Sequence, residues 1–442
     1  MCFLYSSAYA SDKELLKRID LLEQKVQKLE KLLADKETAS DIKTKVYNNH
    51  KPNDQILDNH ISRVGKNSDT TIQINPFPKI ESEDKKTSIA VNALLQNDLA
   101  LFTHEKSYLK EGAIVRNARI SMRGKLYEDW SYFLQANLAK SDANPTYALI
   151  SYSFSKNFTL SVGKMCEVFG LDNSTYNSNT FFLEKAAVHT ITPNNKTGVM
   201  AVLNGEDWLV TLGGFGNYTN EEKSRVYRNY YSGSTRMTYS PIHNGNDVIH
   251  MGINANYQHA YKKFGKAEYK SRGESEISPY VLNTGIINNV DNIQSYGVEF
   301  ATAKGPFVLE TEYVTNMINR YRRKSVNFSG GYLQLAWVLT GEKREYSVQK
   351  GIFGGVIPSE PFNIKDGTKG AWEIALRYNY LNLNDKKANI YGGAMNNITL
   401  GLNWYPNYYI KIMANYAFIK TNRYSVTPNR PQVLMLRTQI GF

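Results

Sequence analysis

The feature of this sequence that most constrains its fold is a polar–apolar alternation that recurs between residues 88 and 442. In "DWSYFLQANLA", Trp130, Tyr132 and Leu134 share one face of an extended chain, and Gln135 lies on the other. A period of two residues is the period of a β-strand. The same period recurs in "GAIVRNARISMRGKL", "GAWEIALRYNYLNLND", "NNITLGLNWYPN" and "QVLMLRTQIGF". We therefore predict that this part of the chain is all-β.

Composition helps to decide how so many strands are arranged. The chain has 31 Tyr and 18 Phe, yet its mean hydropathy is −0.46, and it has no apolar run of the ~18 residues that a transmembrane helix needs. Strands that face lipid on one side and water on the other produce this combination. At about 22 residues for each strand and its connection, residues 88–442 predict a transmembrane antiparallel β-barrel of about 16 strands. An array of soluble β-sandwiches is the alternative.

The stretch that ends at Phe442 supports the closed barrel. Val433, Met435 and Arg437 fall on one side of this predicted strand, and Leu434 and Leu436 fall on the other. A closed barrel has no free edge, so its last strand pairs with its first and carries apolar side chains toward lipid. A terminal aromatic residue after such a strand resembles the assembly signal of outer-membrane proteins. We therefore expect a multi-pass β-barrel in the bacterial outer membrane.

Three segments precede the predicted barrel. Residues 1–10, "MCFLYSSAYA", end in an A-x-A pattern and are interpreted as the remnant of an export signal peptide. Residues 11–35 are predicted to form a coiled-coil helix, because their apolar residues recur at alternating spacings of 4 and 3. Residues 36–87 are polar, show no sustained period and are interpreted as a linker. The heptad a positions are Ile19, Val26 and Leu33, and the d positions are Leu15, Leu22 and Leu29.

The positive charge of the chain belongs to the predicted barrel. The whole chain carries a net charge of +12, and residues 1–87 contribute 15 basic and 14 acidic side chains, which leaves +11 for residues 88–442. An arginine or lysine on the lipid face at mid-membrane costs about 2–4 kcal/mol. Basic residues within strands are therefore expected to face the lumen, where they attract anions.

Several stretches make a more specific resemblance. They are "RNARISMRGKLYEDWSYFLQANLA", "VGKMCEVFGLDNSTYNSNTFFLEKA", "VLTGEKREYSVQKGIFGGVIPSEPF", "GAWEIALRYNYLNLN", "GGAMNNITLGLNWYPN" and "RTQIGF". These stretches occur in the same order as in the phosphate-selective porin O and P family, which the domain resembles. The resemblance implies a homotrimeric porin of sixteen strands, with a third loop folded into the lumen. It also implies a water-filled, basic pathway for small anions such as phosphate or polyphosphate.

Two departures from the family pattern bear on selectivity. The family carries Arg-Arg-Ala-Arg where this chain has Arg116-Asn117-Ala118-Arg119, so one lumenal arginine is expected to be missing. After Lys164 the family tends to carry a basic residue and a proline, and this chain has Met-Cys-Glu-Val, which brings Glu167 near the expected constriction. A carboxylate there opposes anion passage. We therefore expect weaker phosphate preference than the family implies.

The candidate pore-lining and anion-binding residues follow from alternation and from the resemblance. Lumenal arginines can bind phosphate or carboxylate with two parallel hydrogen bonds. The alternative is that individual cations pair with inward carboxylates, namely Glu299, Glu310, Glu312 or Glu373, as struts of the wall. Alternation places Arg119, Arg123, Arg377, Lys411 and Arg437 on the lumenal side of their strands, and the resemblance places Lys185 in the inward loop.

Other function classes find little support. The sequence contains no P-loop, no H-E-x-x-H and no G-x-S-x-G motif, and two cysteines cannot form a cysteine-based zinc site. We expect no enzyme, cofactor, metal site or nucleic-acid partner. Outer-membrane lipid and lipopolysaccharide are expected partners, with the basic run Arg320, Arg322, Arg323 and Lys324 facing lipopolysaccharide phosphates. A general diffusion porin with little selectivity, and a barrel that tethers the envelope through its coiled coil, remain open alternatives.

Overall fold

A computed structural model describes residues 70–73, 78–104, 111–139, 145–216, 229–260, 265–422 and 430–442. The predicted signal remnant (1–10), the predicted coiled coil (11–35) and most of the predicted linker (36–87) lie outside the described residues, and those expectations stay predictions.

Sixteen antiparallel strands form the wall of a barrel, and each pairs with the next along the chain. The count confirms the all-β prediction and the number of strands. The strands are β1 (Ser88–His104), β2 (Gly112–Tyr127), β3 (Trp130–Asn137), β4 (Pro145–Ser155), β5 (Phe158–Cys166), β6 (Asn195–Asn204), β7 (Trp208–Gly216), β8 (Asn229–His243), β9 (Asp247–Ala260), β10 (Val290–Lys304), β11 (Phe307–Arg320), β12 (Val326–Val338), β13 (Ala371–Asp385), β14 (Ile390–Tyr405), β15 (Ile410–Asn422) and β16 (Gln432–Gly441).

The barrel closes between its last and first strands. Strand β16 pairs with β1, with Arg437 opposite Asp98. Backbone hydrogen bonds continue the pairing to Phe442, whose carbonyl accepts from the Ala93 amide at 2.9 Å and whose amide donates to the Ala93 carbonyl at 3.1 Å. Closure satisfies every wall strand on both sides, which a membrane-spanning sheet requires.

Side chains alternate between a lipid face and a lumen face as the sequence predicts. On β13, Ile374, Leu376 and Tyr378 are exposed on the outside, whereas Glu373 and Arg377 are buried inside. Aromatic pairs mark the rim of the outer face, as in outer-membrane barrels generally. The pairs Trp372–Trp404 and Phe307–Trp337 stack with ring centroids 5.5 and 5.1 Å apart.

One strand departs from strict alternation. The pairing of β1 with β2 shifts register so that Gln96 faces Asn117 and Asn97 faces Val115, which leaves Arg116 unpaired in a bulge. Strict alternation along this segment would place Ile114 on the same face as Ala118. The bulge instead exposes Val115 on the outside and turns Arg116 toward the lumen, because one extra residue reverses the alternation beyond it.

Two short strands precede the barrel within the segment interpreted as linker. Thr70–Gln73 pairs with Lys79–Ser82, and Lys79–Ser82 pairs with the start of β1. Thr70–Gln73 and Lys79–Ser82 therefore extend the sheet beyond the start of β1. These strands have only four residues each, which is too short for alternation to reveal them.

The connections differ between the two ends of the barrel. One end carries turns such as 128–129, 156–157 and 205–207, together with the start of β1 and the end of β16. Short turns mark the periplasmic face of barrels of this type, so we assign this end to the periplasm. The exception is the connection of residues 339–370 between β12 and β13, here called the return segment.

Among the described residues, no helix is both long enough and apolar enough to span a membrane.

Part of the lumen is filled by an apolar core. The loop after β5 contributes Phe169 and Val188, and the loop after β9 contributes Leu282 and Ile287. These side chains pack against inward residues of the later strands, such as Phe328. Inward side chains of the early strands β2 to β4 are less buried, so the open space lies on that side of the lumen.

Candidate functional site: a constricted lumen

The loop after β5, residues 167–194, lies inside the barrel and is called the constriction loop here. It contains the short helix Leu171–Ser174 and the 3₁₀ helix Ala187–Ile191. Its backbone carbonyls accept hydrogen bonds from inward wall side chains, which is the inward third loop that the resemblance implied. The donor–acceptor pairs are Gln96 to Asn177, Gln439 to Ser178, Lys411 to Thr180, Asn403 to Phe181, Arg377 to Glu184 and Asn316 to Ile191.

Asp172 holds the two halves of the constriction loop together. Its Oδ2 accepts from the Ala186 amide at 2.8 Å and lies 3.0 Å from His189 Nε2. Its own amide donates to Glu312 Oε1 on β11 at 2.7 Å. Burial alone would raise the pKa of Asp172, but the hydrogen bond and charge of His189 outweigh it, with help from Lys185. The pKa therefore lies well below its usual range.

Two of the candidate arginines form buried ion pairs. The Arg437 guanidinium contacts Asp98 with Nε–Oδ1 at 2.6 Å and Nη2–Oδ2 at 2.7 Å, and also donates to the Leu183 carbonyl. Arg377 Nη2 contacts Glu274 Oε2 at 2.6 Å, and Glu274 comes from the loop after β9. Both arginines face inward, and both act as struts between the wall and the loops.

The two candidate lysines also contact loop carbonyls. Lys411 Nζ donates to the Thr180 carbonyl at 2.6 Å from a buried position. Lys185 lies in the constriction loop, where its Nζ donates to the carbonyls of Asn173 and Thr175. Burial lowers the pKa of Lys185, although Asp172 opposes the shift. These contacts stabilise the constriction loop, and Lys411 also lines the cavity at the periplasmic end of the lumen.

Arg119 and Arg123 line the open part of the lumen. Arg119 is partly buried and Arg123 is exposed, and both face a cavity of about 670 Å³. The cavity lies at the periplasmic end, because Gly441, Phe442 and Tyr408 also line it. Within the described residues, the Arg119 guanidinium donates one hydrogen bond, from Nε to the Asn117 amide oxygen at 3.1 Å. Its charge therefore stays available to solutes.

Asn117 and Glu167, the two departures from the family pattern, are both satisfied internally. Asn117 is buried, accepts from Arg119 and donates to Gln96 Oε1 at 2.5 Å. Glu167 Oε1 lies 2.6 Å from Lys196 Nζ and accepts from Ser232, while its Oε2 accepts from Asn256. Lys196 thus offsets the charge of Glu167, so this carboxylate obstructs anions less than the sequence suggested.

Sequence reasoning missed three arginines that organise the lumen. Arg116 contacts Glu184 through Nε and Nη2, both at 2.8 Å, and reaches it only because of the bulge in β2. Burial raises the pKa of Glu184, but Arg116 and then Arg437 outweigh burial and hold it below its usual range. Arg236 and Arg344 pair with Glu299 and Glu373. Alternation in β8 could have revealed Arg236, whereas Arg344 lies in a connection without a period.

The inward carboxylates of β11 have no cationic partner among the described residues. Glu312 Oε1 accepts from the Tyr332 hydroxyl at 2.6 Å, and Glu310 Oε2 accepts from Gln334 Nε2 at 2.6 Å. The alternative in which inward carboxylates pair with cations as struts of the wall therefore applies to Glu299 and Glu373. Their partners are Arg236 and Arg344, which are not among the candidate pore-lining residues. Glu310 and Glu312 instead face neutral donors and the constriction loop.

The return segment enters the lumen from the periplasmic end. Arg344 Nε and Nη2 contact Glu373 at 2.8 and 2.9 Å, and Arg344 Nη1 donates to the Asn179 carbonyl of the constriction loop at 2.7 Å. Arg236 donates to the Gly351 carbonyl at 2.8 Å. The two inward segments therefore meet inside the barrel. The part of the chain that the structure describes contains no group of three or more His, Cys, Asp or Glu residues that could hold a metal ion.

A closed barrel with a lipid-facing outer surface, an inward loop and a polar lumen defines an outer-membrane porin. The chain belongs to the phosphate-selective porin O and P family, whose model matches residues 89–442. It is similar to Porin O of Pseudomonas aeruginosa PAO1, with 24% identity over 404 residues that cover 80% of this chain and 88% of the relative. Membership places this multi-pass barrel in the bacterial outer membrane.

Solved structures share the fold at low identity. An anion-selective porin from Comamonas acidovorans matches with a TM-score of 0.52 and 10% identity, covering 81% of this chain and 100% of that chain. OmpT of Vibrio cholerae, in a trimer form, matches with a TM-score of 0.51 and 8% identity, with the same coverage. Family and fold are those of a channel rather than an enzyme.

Proposed function

We propose that this porin is a water-filled, anion-selective channel whose selectivity depends on Arg119 in the open periplasmic part of the lumen. The observation that carries the proposal is the guanidinium of Arg119, which faces the cavity and hydrogen-bonds to a neutral amide. Arg123 lines the same cavity. The remaining candidate cations contact carboxylates, in the case of Arg377 and Arg437, or loop carbonyls, in the case of Lys185 and Lys411. Membership of a phosphate-selective family and the likeness to an anion-selective porin agree with this reading.

The number of arginines in the lumen therefore overstates its positive potential. Arg437, Arg377, Arg236 and Arg344 are each within 2.8 Å of a carboxylate oxygen, which cancels most of their field at a distance. We expect moderate anion selectivity, and weaker preference for phosphate than a continuous row of lumenal arginines would give. A Debye length of about 8 Å at physiological salt still lets Arg119 act across a narrow lumen.

Planar-bilayer reversal potentials in a potassium chloride gradient test the proposal. The wild-type pore should prefer chloride, and Arg119→Gln with Arg123→Gln should shift the reversal potential toward cation preference. The control is Arg322→Gln with Arg323→Gln, which removes the same two charges from exposed positions in the connection between β11 and β12. A cation-selective wild type, or a double variant with unchanged selectivity, would contradict the proposal. An unselective wild type would favour the general diffusion porin.

We also propose that the porin is a homotrimer. Strands β3, β5 and β7 have only 8, 9 and 9 residues, at or below the about 9–11 that a membrane strand needs. A neighbouring copy of the chain would cover the part of the wall that these short strands form. The trimer form described for OmpT of Vibrio cholerae is consistent with this proposal. Mass measurement in detergent by light scattering tests it, and a monomer at all protein concentrations would contradict it.

Lipopolysaccharide phosphates are the proposed partner of the basic loops at the extracellular rim. Arg322, Arg323 and Lys324 lie beside Lys386 and Lys387, because β12 and β13 are paired and Asn327 donates to Asp385. All five cations are exposed, and the described residues include no salt bridge to any of them. Replacing all five with glutamine should lower the lipopolysaccharide that copurifies with the barrel. Unchanged retention would contradict the proposal.

A further inference from the structure

We infer that the periplasmic cavity favours anions that carry an aromatic or apolar body over bare inorganic anions. The inference rests on the proposed anion channel and names the class of solute for the same site. It is carried by the side chains that share the cavity with Arg119 and Arg123, because a large part of this lumenal surface is aromatic.

Phe133 is the first part of this aromatic surface. It lies on β3 directly opposite Arg123 on β2, so both side chains extend into the lumen side by side. Its ring centroid is 5.3 Å from that of Tyr147 on β4, at an interplanar angle of 56°. Lumen-facing positions of a water-filled barrel are usually polar. A phenylalanine beside two arginines is therefore unexpected if the wall only conducts small hydrated anions.

Tyrosines form the opposite part of the cavity. Tyr408 and Tyr409, in the turn between β14 and β15, pack edge to face with ring centroids 5.3 Å apart. Burial and the neighbouring Tyr409 raise the pKa of Tyr408, and the charge of Arg123, which lines the same cavity, opposes the shift. Tyr176 of the constriction loop lines the same space, with Lys350 Nζ 5.3 Å from its ring centroid.

The chemistry of this surface suits one class of solute. Arginines bind a phosphate or carboxylate group, while aromatic rings gain from contact with another ring or an apolar chain. A cavity of about 670 Å³ falls within the range of about 300–1,000 Å³ that small-molecule sites occupy. Glu345, which is exposed on the return segment, also lines the cavity. The negative charge of Glu345 repels anions. A solute with an aromatic or apolar body can offset this repulsion through contact with the rings, whereas a small inorganic anion cannot.

The experiment compares two anions that share a headgroup and differ in their body. Chloride current through single pores is measured while methyl phosphate or phenyl phosphate is titrated from the periplasmic side. Phenyl phosphate should block at about a tenfold lower concentration than methyl phosphate, as expected from one good aromatic contact. Phe133→Ala should remove that difference, and Phe133→Leu should reduce it while keeping the position apolar.

Tyr313→Ala is the control, because it removes a ring from an exposed position on the outer face of β11, away from the strands proposed for the trimer contact. It should leave both blocking concentrations unchanged. Equal blocking by the two phosphates in the wild type, or a difference that survives Phe133→Ala, would overturn the inference. Neither result would affect the proposed anion channel, which fails only if the chloride reversal potential shows no anion preference.

Discussion

Arg437 illustrates, at the scale of single residues, how a lumenal arginine becomes a structural element. Its guanidinium is 2% exposed and contacts both oxygens of Asp98. Removing one partner of a buried ion pair leaves the other charge unpaired and typically costs about 3–5 kcal/mol. We expect Arg437→Gln to lower the free energy of unfolding of the barrel by this amount, measured by urea unfolding in lipid vesicles.

The control is the double variant Arg437→Met with Asp98→Leu. It removes both charges together, so it should be less destabilised than Arg437→Gln, because no unpaired buried carboxylate remains. Equal destabilisation of the two variants would mean that packing of the arginine stem, rather than the ion pair, stabilises this part of the wall.

Alternation predicted the side of the wall on which each candidate residue lies, but not what it contacts. Arg377 faces inward as its strand pattern indicates, yet its partner Glu274 lies in a loop more than 100 residues away. A period of two specifies direction within one strand and carries no information about loops that return to the lumen. The inward position of Arg116 could not be predicted for a different reason, because a bulge leaves no signal in the alternation of β2.

At the scale of elements, Arg344 connects the return segment to the constriction loop and to the wall. It donates to Gly354 within its own segment, to Asn179 of the constriction loop and to Glu373 of β13. We expect Arg344→Gln to release both segments from their closed positions, with higher single-channel conductance and more current noise. Lys343→Gln is the control, because its exposed side chain contacts only Asn246 among the described residues.

If Arg344→Gln leaves conductance and noise as in the wild type, the remaining contacts of Arg236 with Lys350 and Gly351 suffice to hold the return segment. In that case Arg236, rather than Arg344, would be the residue that holds the return segment in the lumen. Limited proteolysis from the periplasmic side gives an independent measurement, since a released return segment should be cleaved faster.

The constriction loop should resist moderate acid. Because the folded pKa of Asp172 is depressed, its stabilising contribution is fully present above the usual aspartate value of about 3.9 and is lost only as pH falls below it. We therefore expect constant single-channel conductance from pH 7 to about pH 5, and a loop that opens only in stronger acid. Asp172→Asn should abolish this acid transition. An opening near pH 6 would contradict the assignment of Asp172 as the anchor.

The constriction loop and the return segment were not predictable from residue patterns to the same degree as the strands. The family resemblance implied the inward loop, but the sequence of the return segment gave no sign that it re-enters the lumen. Its position depends on buried ion pairs such as Arg344 with Glu373, which join residues that are 29 positions apart and on different elements. Such contacts are specified by tertiary packing and not by local period or propensity.

At the scale of the whole molecule, the sequence predicted the architecture well, because the membrane imposes strong rules. Every strand must pair on both sides and must turn apolar residues to lipid, so alternation, strand number and closure follow together. The degree to which the lumen is filled did not follow. Apolar residues such as Phe169 and Val188 carry the same hydropathy whether they face lipid or an internal core, so composition cannot separate a filled barrel from an open one.

The final prediction concerns assembly of the closed barrel. Phe442 completes the ladder between β16 and β1 through two backbone hydrogen bonds with Ala93, and its ring is 44% exposed beside the outer face. Deletion of this residue removes pairing at the seam that closes the barrel. We expect deletion of Phe442 to lower the amount of heat-modifiable barrel recovered from membranes several-fold, while pores that do assemble keep wild-type conductance.

Phe442→Ala distinguishes the contribution of the aromatic ring from that of the backbone hydrogen bonds. It retains both hydrogen bonds with Ala93, so a loss of assembly similar to the deletion would show that the ring itself is recognised during insertion. Wild-type assembly of Phe442→Ala, with a defect only in the deletion, would assign the effect to the backbone seam. Wild-type recovery of both variants would mean that closure is decided earlier along β16, where Arg437 pairs with Asp98 across the same seam.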